Sequence, residues 1–152
     1  FFDITESIIK NYGKIYRYIG DEVCITWKAN SKFKLEFAIR TFNDAKSAIQ
    51  AEQGSYNKKF GLVPDFTAGV HFGKVVVGEI GEIKSQISFI GDVLYETALI
   101  EKACRTYDSG LLVSKKLKDA FGKNNKMKFN AKGDVYFKGD IYQTLYEPVL
   151  EN

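Results

Sequence analysis

The sequence predicts an α+β fold in which helices lie on an antiparallel sheet. Three observations lead there. Residues 15–27, Ile-Tyr-Arg-Tyr-Ile-Gly-Asp-Glu-Val-Cys-Ile-Thr-Trp, hold two β-branched and aromatic runs around Gly20-Asp21, the pattern of a β-hairpin. Residues 31–53 place Leu35, Ala38, Ile39, Phe42, Ala45 and Ile49 at helical spacing, with Phe33 and Phe37 widening the apolar stripe. With the terminal additions set aside, the elements read helix, strand, strand, helix, strand, strand, helix, strand.

A chain of 152 residues, 45% of them hydrophobic, supports one domain over residues 1–152 with its own core. The net charge of +3 is small, and no Lys/Arg run is interleaved with aromatics, which argues against a nucleic-acid partner. The lysine-rich stretch 115–128 reads as a solvated helix and turn. Cys24 and Cys104 lack metal-ligand spacing and read as reduced thiols, the expectation for a cytoplasmic protein. No apolar run reaches membrane-spanning length and no signal-peptide pattern is present, so no membrane contact by this domain is expected.

In chain order, residues 1–11 form a helix on Phe1, Ile4, Ile8 and Tyr12, with Gly13 as its C-cap. The chain starts with that helix already under way, so a segment upstream is expected. In the hairpin, Val23, Ile25 and Trp27 share one face, Cys24 and Thr26 the other, and the tip presents the Asp21 carboxylate. After the long helix, Gly61 and Pro64 mark an exit. Residues 66–72 and 74–80 read as two strands meeting in a second hairpin at Gly73, with Gly69, Gly78 and Gly81 suited to close backbone approach or bulges. His71, the one histidine, reads as a half-buried strand residue rather than a catalytic base. Residues 87–90 form a strand, and Asp92 caps a helix running to about residue 107. Residues 111–113 are a short buried strand, and Ser114 caps a helix over 115–121. The tail (127–129, 134–137 and 142–146) is β structure turning at Gly133 and Gly139.

An exposed acid on a stiff hairpin is a good grip for a hard divalent cation beside a phosphate, although for this hairpin by itself turn chemistry is the simpler account of Asp21. The context decides. Ala68-Gly69-Val70-His71-Phe72-Gly73-Lys74-Val75-Val76-Val77-Gly78-Glu79-Ile80-Gly81, then Ile87-Ser88-Phe89-Ile90-Gly91-Asp92-Val93, then Leu111-Leu112-Val113-Ser114 follow the hairpin in order. This succession closely resembles the catalytic domain of the class III nucleotidyl (adenylate/guanylate) cyclases of bacterial type, from about Tyr12 onward. The resemblance implies a ferredoxin-like antiparallel sheet covered by helices, its first strand missing from the sequence. It also implies formation of cyclic AMP or cyclic GMP and pyrophosphate from ATP or GTP, with Mg²⁺ or Mn²⁺, in a homodimer or a heterodimer. The hairpin Ile19-Gly20-Asp21-Glu22-Val23 is also similar to that of the diguanylate cyclases, but the glycine-rich strands and Phe89-Ile90-Gly91-Asp92 favour class III.

Carried onto this chain, the resemblance makes Asp21 a metal ligand and sets backbone groups at Ile19 and Gly20 beside the same metal and phosphates. Arg17 and Ser88 take the base-reading positions, and Lys138 the position of a basic residue that meets the triphosphate. Asp3, in Phe2-Asp3-Ile4-Thr5, imitates the motif of the other metal acid. It stands too close to Asp21 in sequence and on a helical stripe, so it is set aside as a ligand. The sequence departs from the family at three further positions. Tyr95 and Leu99 replace the Asn that orients the ribose and the Arg that stabilises the phosphate, and Thr67 stands where an arginine commonly meets the triphosphate. One lost charge-stabilising donor costs about two to three orders of magnitude in rate. The alternative is therefore an impaired, regulatory or dimerisation module needing a partner that supplies Asn and Arg.

Overall fold

A computed structural model describes residues 1–29, 35–81, 86–122, 127–137 and 141–149. The chain divides into two compact units, Phe1–Phe66 and Thr67–Asn152, each with its own buried residues.

The first unit contains α1 (Phe2–Lys10), β1 (Lys14–Ile19), β2 (Glu22–Thr26), α2 (Glu36–Ala51) and α3 (Gln53–Phe60). Helices α1 and α2 pack together, and Ile8, Ala38, Ile39, Ala45 and Ile49 are buried, as the helical stripe of α2 requires. Phe1 and Tyr12, expected on the inner face of α1, are exposed. The left-handed residue that ends α1 is Tyr12 (φ 59°), not Gly13, with Gly13 N–H donating to Ile8 O at 2.9 Å in a Schellman-type closure. Gly13 is needed for space instead: a Cβ there would lie 2.9 Å from side-chain carbons of Ile8 and Ile25. Asn11 ties three elements together. Its side-chain amide donates to Ser7 O and Asp44 Oδ2, each at 2.9 Å, while its backbone carbonyl accepts Trp27 Nε1–H at 2.9 Å. The helix expected over 31–53 is α2, which stops at Ala51; a further, unexpected helix, α3, begins at Gln53, while 31–34 lie outside the described residues. Lys46 on α2 pairs with Asp65 and lies over the rings of Phe42 and Phe66, at 5.4 and 4.8 Å, which fastens the chain leaving α3 back to α2.

The second unit contains β3 (Ala68–Val70), β4 (Val76–Ile80), β5 (Gln86–Ile90), α4 (Asp92–Thr106), β6 (Leu111–Ser114), α5 (Lys115–Ala120), β7 (Lys128–Phe137) and β8 (Ile141–Val149). A four-stranded sheet runs β3-β6-β8-β7, with β3 parallel to β6 and the other pairs antiparallel; β4 and β5 form a separate antiparallel ribbon. The hairpin expected at Gly73 is therefore not formed: β3 pairs with β6 across the α4 crossover, and β4 turns back onto β5. Ile100, Ala103, Cys104, Leu112, Phe137 and Leu145 make the core, joining α4 to the sheet. Ser114 caps α5 as expected, its Oγ accepting Leu117 N–H at 3.1 Å. At α4 the cap residue is Gly91 and Asp92 is the first helical residue, its charge favourable to the helix dipole. Gly133 is not a turn but lies inside β7 beside a register shift, where the Tyr107 ring covers it. Gly78 has open space around it rather than a close neighbour. The turn expected at Gly139 lies outside the described residues.

Candidate active site

Two residues make the tip of the first hairpin, since Ile19 pairs with Glu22 and leaves Gly20 and Asp21 to turn the chain. Gly20 takes φ 61°, the left-handed value that a two-residue hairpin turn demands of its first position. Asp21 is exposed, and its carboxylate forms no ion pair or side-chain hydrogen bond among the described residues. Arg17 lies exposed on β1 with its guanidinium 5.0 Å from the centre of the Tyr16 ring, and pairs in register with Cys24. Burial pushes the Cys24 thiol up, Arg17 partly opposing it and Glu22 adding to it. Asp3 lies on α1 and accepts a hydrogen bond from the Tyr56 hydroxyl on α3, a bond that raises the tyrosine pKa. The acid set aside on spacing and helical periodicity thus lies on a helix and is bonded to a neighbouring one.

Ser88, Tyr95, Leu99 and Thr67 belong to the second unit. Ser88 is half-buried on β5, opposite Gly78. Tyr95 and Leu99 are four apart on α4 and share a face. Tyr95 is 57% exposed, whereas Leu99 packs against the core. Leu99 also lines a shallow groove of about 290 Å³ with Lys102, Thr106, Tyr107, Asp134 and Tyr136. Thr67 Oγ1 donates to Glu101 Oε1 at 2.6 Å, so its side chain is turned to α4. Lys138 lies outside the described residues.

Over 114 residues, 75% of the chain, the sequence is 32% identical to adenylate cyclase 2 of Rhizobium meliloti (strain 1021). Its fold matches the guanylyl cyclase Cya2 with a TM-score of 0.75 at 22% identity, covering 95% of this chain and 74% of that one. The chain belongs to the class III nucleotidyl cyclase domain family. The guanylate cyclase domain of RhGC from Catenaria anguillulae, in complex with GTP, superposes with a TM-score of 0.70 at 17% identity, covering 99% of this chain and 80% of that one. The chain spans about a third of the length of the Rhizobium cyclase, the match covering 31% of it. No protein-family model matches.

For a cyclase domain the donor inventory at the hairpin is short. Asp21, exposed at the hairpin tip, is a hard oxygen donor of the kind that a divalent cation such as Mg²⁺ would take as one of its ligands. The described residues do not fit a self-contained metal cluster: no group of three His, Cys, Asp or Glu side chains gathers among them, and Asp3 is occupied by Tyr56.

His71, expected within a strand, lies just past the end of β3; its side chain is 1% exposed, with Nδ1 2.7 Å from Ser114 Oγ and Nε2 2.9 Å from Glu96 Oε2. Those two partners were not legible in the sequence, being 43 and 25 positions away. Among the described residues no helix is long and apolar enough to cross a membrane.

Proposed function

We propose that this domain is the Asp21-bearing member of a nucleotidyl cyclase pair, forming a cyclic nucleotide and pyrophosphate from ATP or GTP. The observation that carries the reading is the exposed Asp21 carboxylate, without an ion pair among the described residues, on a two-residue turn in a chain related to an adenylate cyclase. In the reaction a bond forms between the ribose 3′-oxygen and the α-phosphorus. The bond from that phosphorus to the bridging oxygen breaks, pyrophosphate leaves, and the 3′-hydroxyl proton passes to solvent. Mg²⁺ or Mn²⁺ would supply charge at the phosphates, and Asp21 is the residue that would hold it. Arg17 would donate to an acceptor on the base, with Ser88 as the second, adaptable contact and Lys138 the cation for the triphosphate. Two reduced thiols suit the cytoplasmic setting in which ATP and GTP are found.

The need for a second chain follows from what α4 lacks. Leu99 has no charge for a pentacoordinate phosphorus, Tyr95 has no amide, and the Thr67 hydroxyl is spent on Glu101. A partner that brings Asn and Arg supplies both. The exposed β4–β5 ribbon, with Val76, Val77, Ile80, Ile87 and Ile90 all uncovered, supports such pairing. The same commitments favour a second reading, a regulatory module that pairs and holds nucleotide but turns over little.

Mn²⁺-dependent pyrophosphate release separates the two. Asp21→Ala should abolish release, and unchanged release would remove Asp21 from the mechanism. Activity that emerges only in Tyr95→Asn with Leu99→Arg identifies a degenerate self-pair. Robust wild-type turnover without a partner would sink the requirement for one. Leu99 is only partly buried, so an arginine there can extend its head outward.

A further inference from the structure

His71 joins three elements through one ring. It follows directly after β3, Glu96 lies on α4 next to Tyr95, and Ser114 ends β6 and caps α5. The Ser114 oxygen already accepts Leu117 N–H, so its own proton is free to donate. The pattern that satisfies every group has Ser114 Oγ–H donate to an unprotonated Nδ1 and leaves Nε2–H to donate to the Glu96 carboxylate. We propose that His71 is a proton-sensitive pin: its neutral Nε2–H form couples the start of α4 to the α5 cap, and protonation uncouples them.

The geometry dictates the response. An imidazolium must donate from both nitrogens, so Nδ1–H would point at the Ser114 hydroxyl proton. That proton must then turn away, at a residue that is fully buried. The charged groups facing the ring are Glu96 from α4 and Lys116 from α5, and the Phe137 ring of β7 lies 5.9 Å away. Burial, the largest influence, and Lys116 hold the ring below its ordinary pKa, while Glu96 opposes them. The helix so pinned carries Tyr95 and Leu99. An effect on turnover rests on the cyclase reading; the pin itself does not.

The chain has one histidine, so its ¹⁵N ring resonances belong to His71 without assignment. At pH 7 they should report a neutral ring protonated at Nε2. As pH falls, hydrogen exchange in α4 and α5, corrected for the intrinsic rate, should quicken at least tenfold over the range in which the ring titrates. Exchange in α2 should stay unchanged. Glu96→Gln removes the charge that favours imidazolium, so ring titration and helix exchange should both shift to lower pH together. A ring protonated at Nδ1 at pH 7 would overturn the proposal. So would helix protection that ignores the ring's titration, or a ring that stays neutral until the whole chain unfolds. None of these readouts depends on turnover, so an inactive protein would count against the cyclase reading and leave the pin to be judged on its own data.

Discussion

A methyl group at residue 69 would lie 2.5 Å from the backbone nitrogen of Glu101 and 2.7 Å from the carbonyl oxygen of Thr97. Both belong to the backbone of α4, which cannot step aside as a side-chain tip can. Gly69→Ala is therefore expected to destabilise the fold by about 3 kcal/mol in urea unfolding, near the upper end for overpacking. A loss below about 1 kcal/mol would mean that α4 slides freely over β3. Thiol chemistry gives a second residue-scale expectation. Burial pushes Cys104 up to about 11, and its sulfur also faces the Ala68 carbonyl at 3.3 Å. At pH 8 only about one thiol in a thousand there is thiolate, so Cys24 should be alkylated first and Cys104 only on unfolding. Equal rates in the native protein would contradict this burial. At this scale the sequence was informative where structure is local: the two-residue turn that carries Asp21 and the helix that carries Asp3 were both readable. Thr67–Glu101 and His71–Glu96 were invisible because each bond spans 25 or more positions, and neither side chain has a short-range reason to be there.

At the scale of elements, Ser114 serves two masters, the α5 cap and the His71 ring. Ser114→Ala removes a cap, costing about 1 kcal/mol, and strands a buried ring nitrogen, costing about 1–3 kcal/mol more. Ser114→Asn, which can still cap, should recover part of that loss in thermal unfolding, and no recovery would show that the cap is idle. The pH dependence follows from the sign of the His71 shift. Its folded-state pKa lies below the ordinary 6.5, so the unfolded chain takes up the proton first as pH falls. The stability involved is complete above about pH 6.5 and drains away below it, down to the folded-state value. His71→Phe should flatten this part of the Tm-against-pH curve, and an unchanged slope would assign it to carboxylates. Helix α2 was readable because its stripe is buried, whereas α3 carries only Tyr56 and Phe60 as large apolar residues and buries none of its residues, so it has no stripe to read. The partner of β3 was misread for a related reason. A three-residue strand holds no register information, and a parallel neighbour reached through α4 leaves no turn signal between the two strands.

At the scale of the whole molecule, the surface that most needs a partner is the β4–β5 ribbon. Cross-strand pairing puts Val76, Ile80 and Ile90 on one face, and Val77 and Ile87 on the other. All five are more than half exposed, Val76 at 68% and Ile87 at 60%. An isolated two-stranded ribbon is marginal in water, and apolar side chains on both of its faces cannot be satisfied by one layer of the same chain. A second cyclase domain lying against the ribbon would cover them, and Ser88, on the same face as Val76 and Ile90, would then sit beside the contact. Sedimentation velocity should accordingly show self-association, or capture of an Asn- and Arg-bearing cyclase domain, at micromolar concentration. Val76→Lys with Ile90→Lys puts two ammonium groups into that contact and should weaken it at least a hundredfold. The second unit's core, built from α4 and the four-stranded sheet, contains neither residue and should keep its near-ultraviolet circular dichroism. If the unaltered protein stays monomeric at about 100 μM and binds no cyclase domain, the ribbon is not the seam of a cyclase pair. In that event Asp21 alone could not sustain turnover, because the charge and the amide that α4 lacks would have no source.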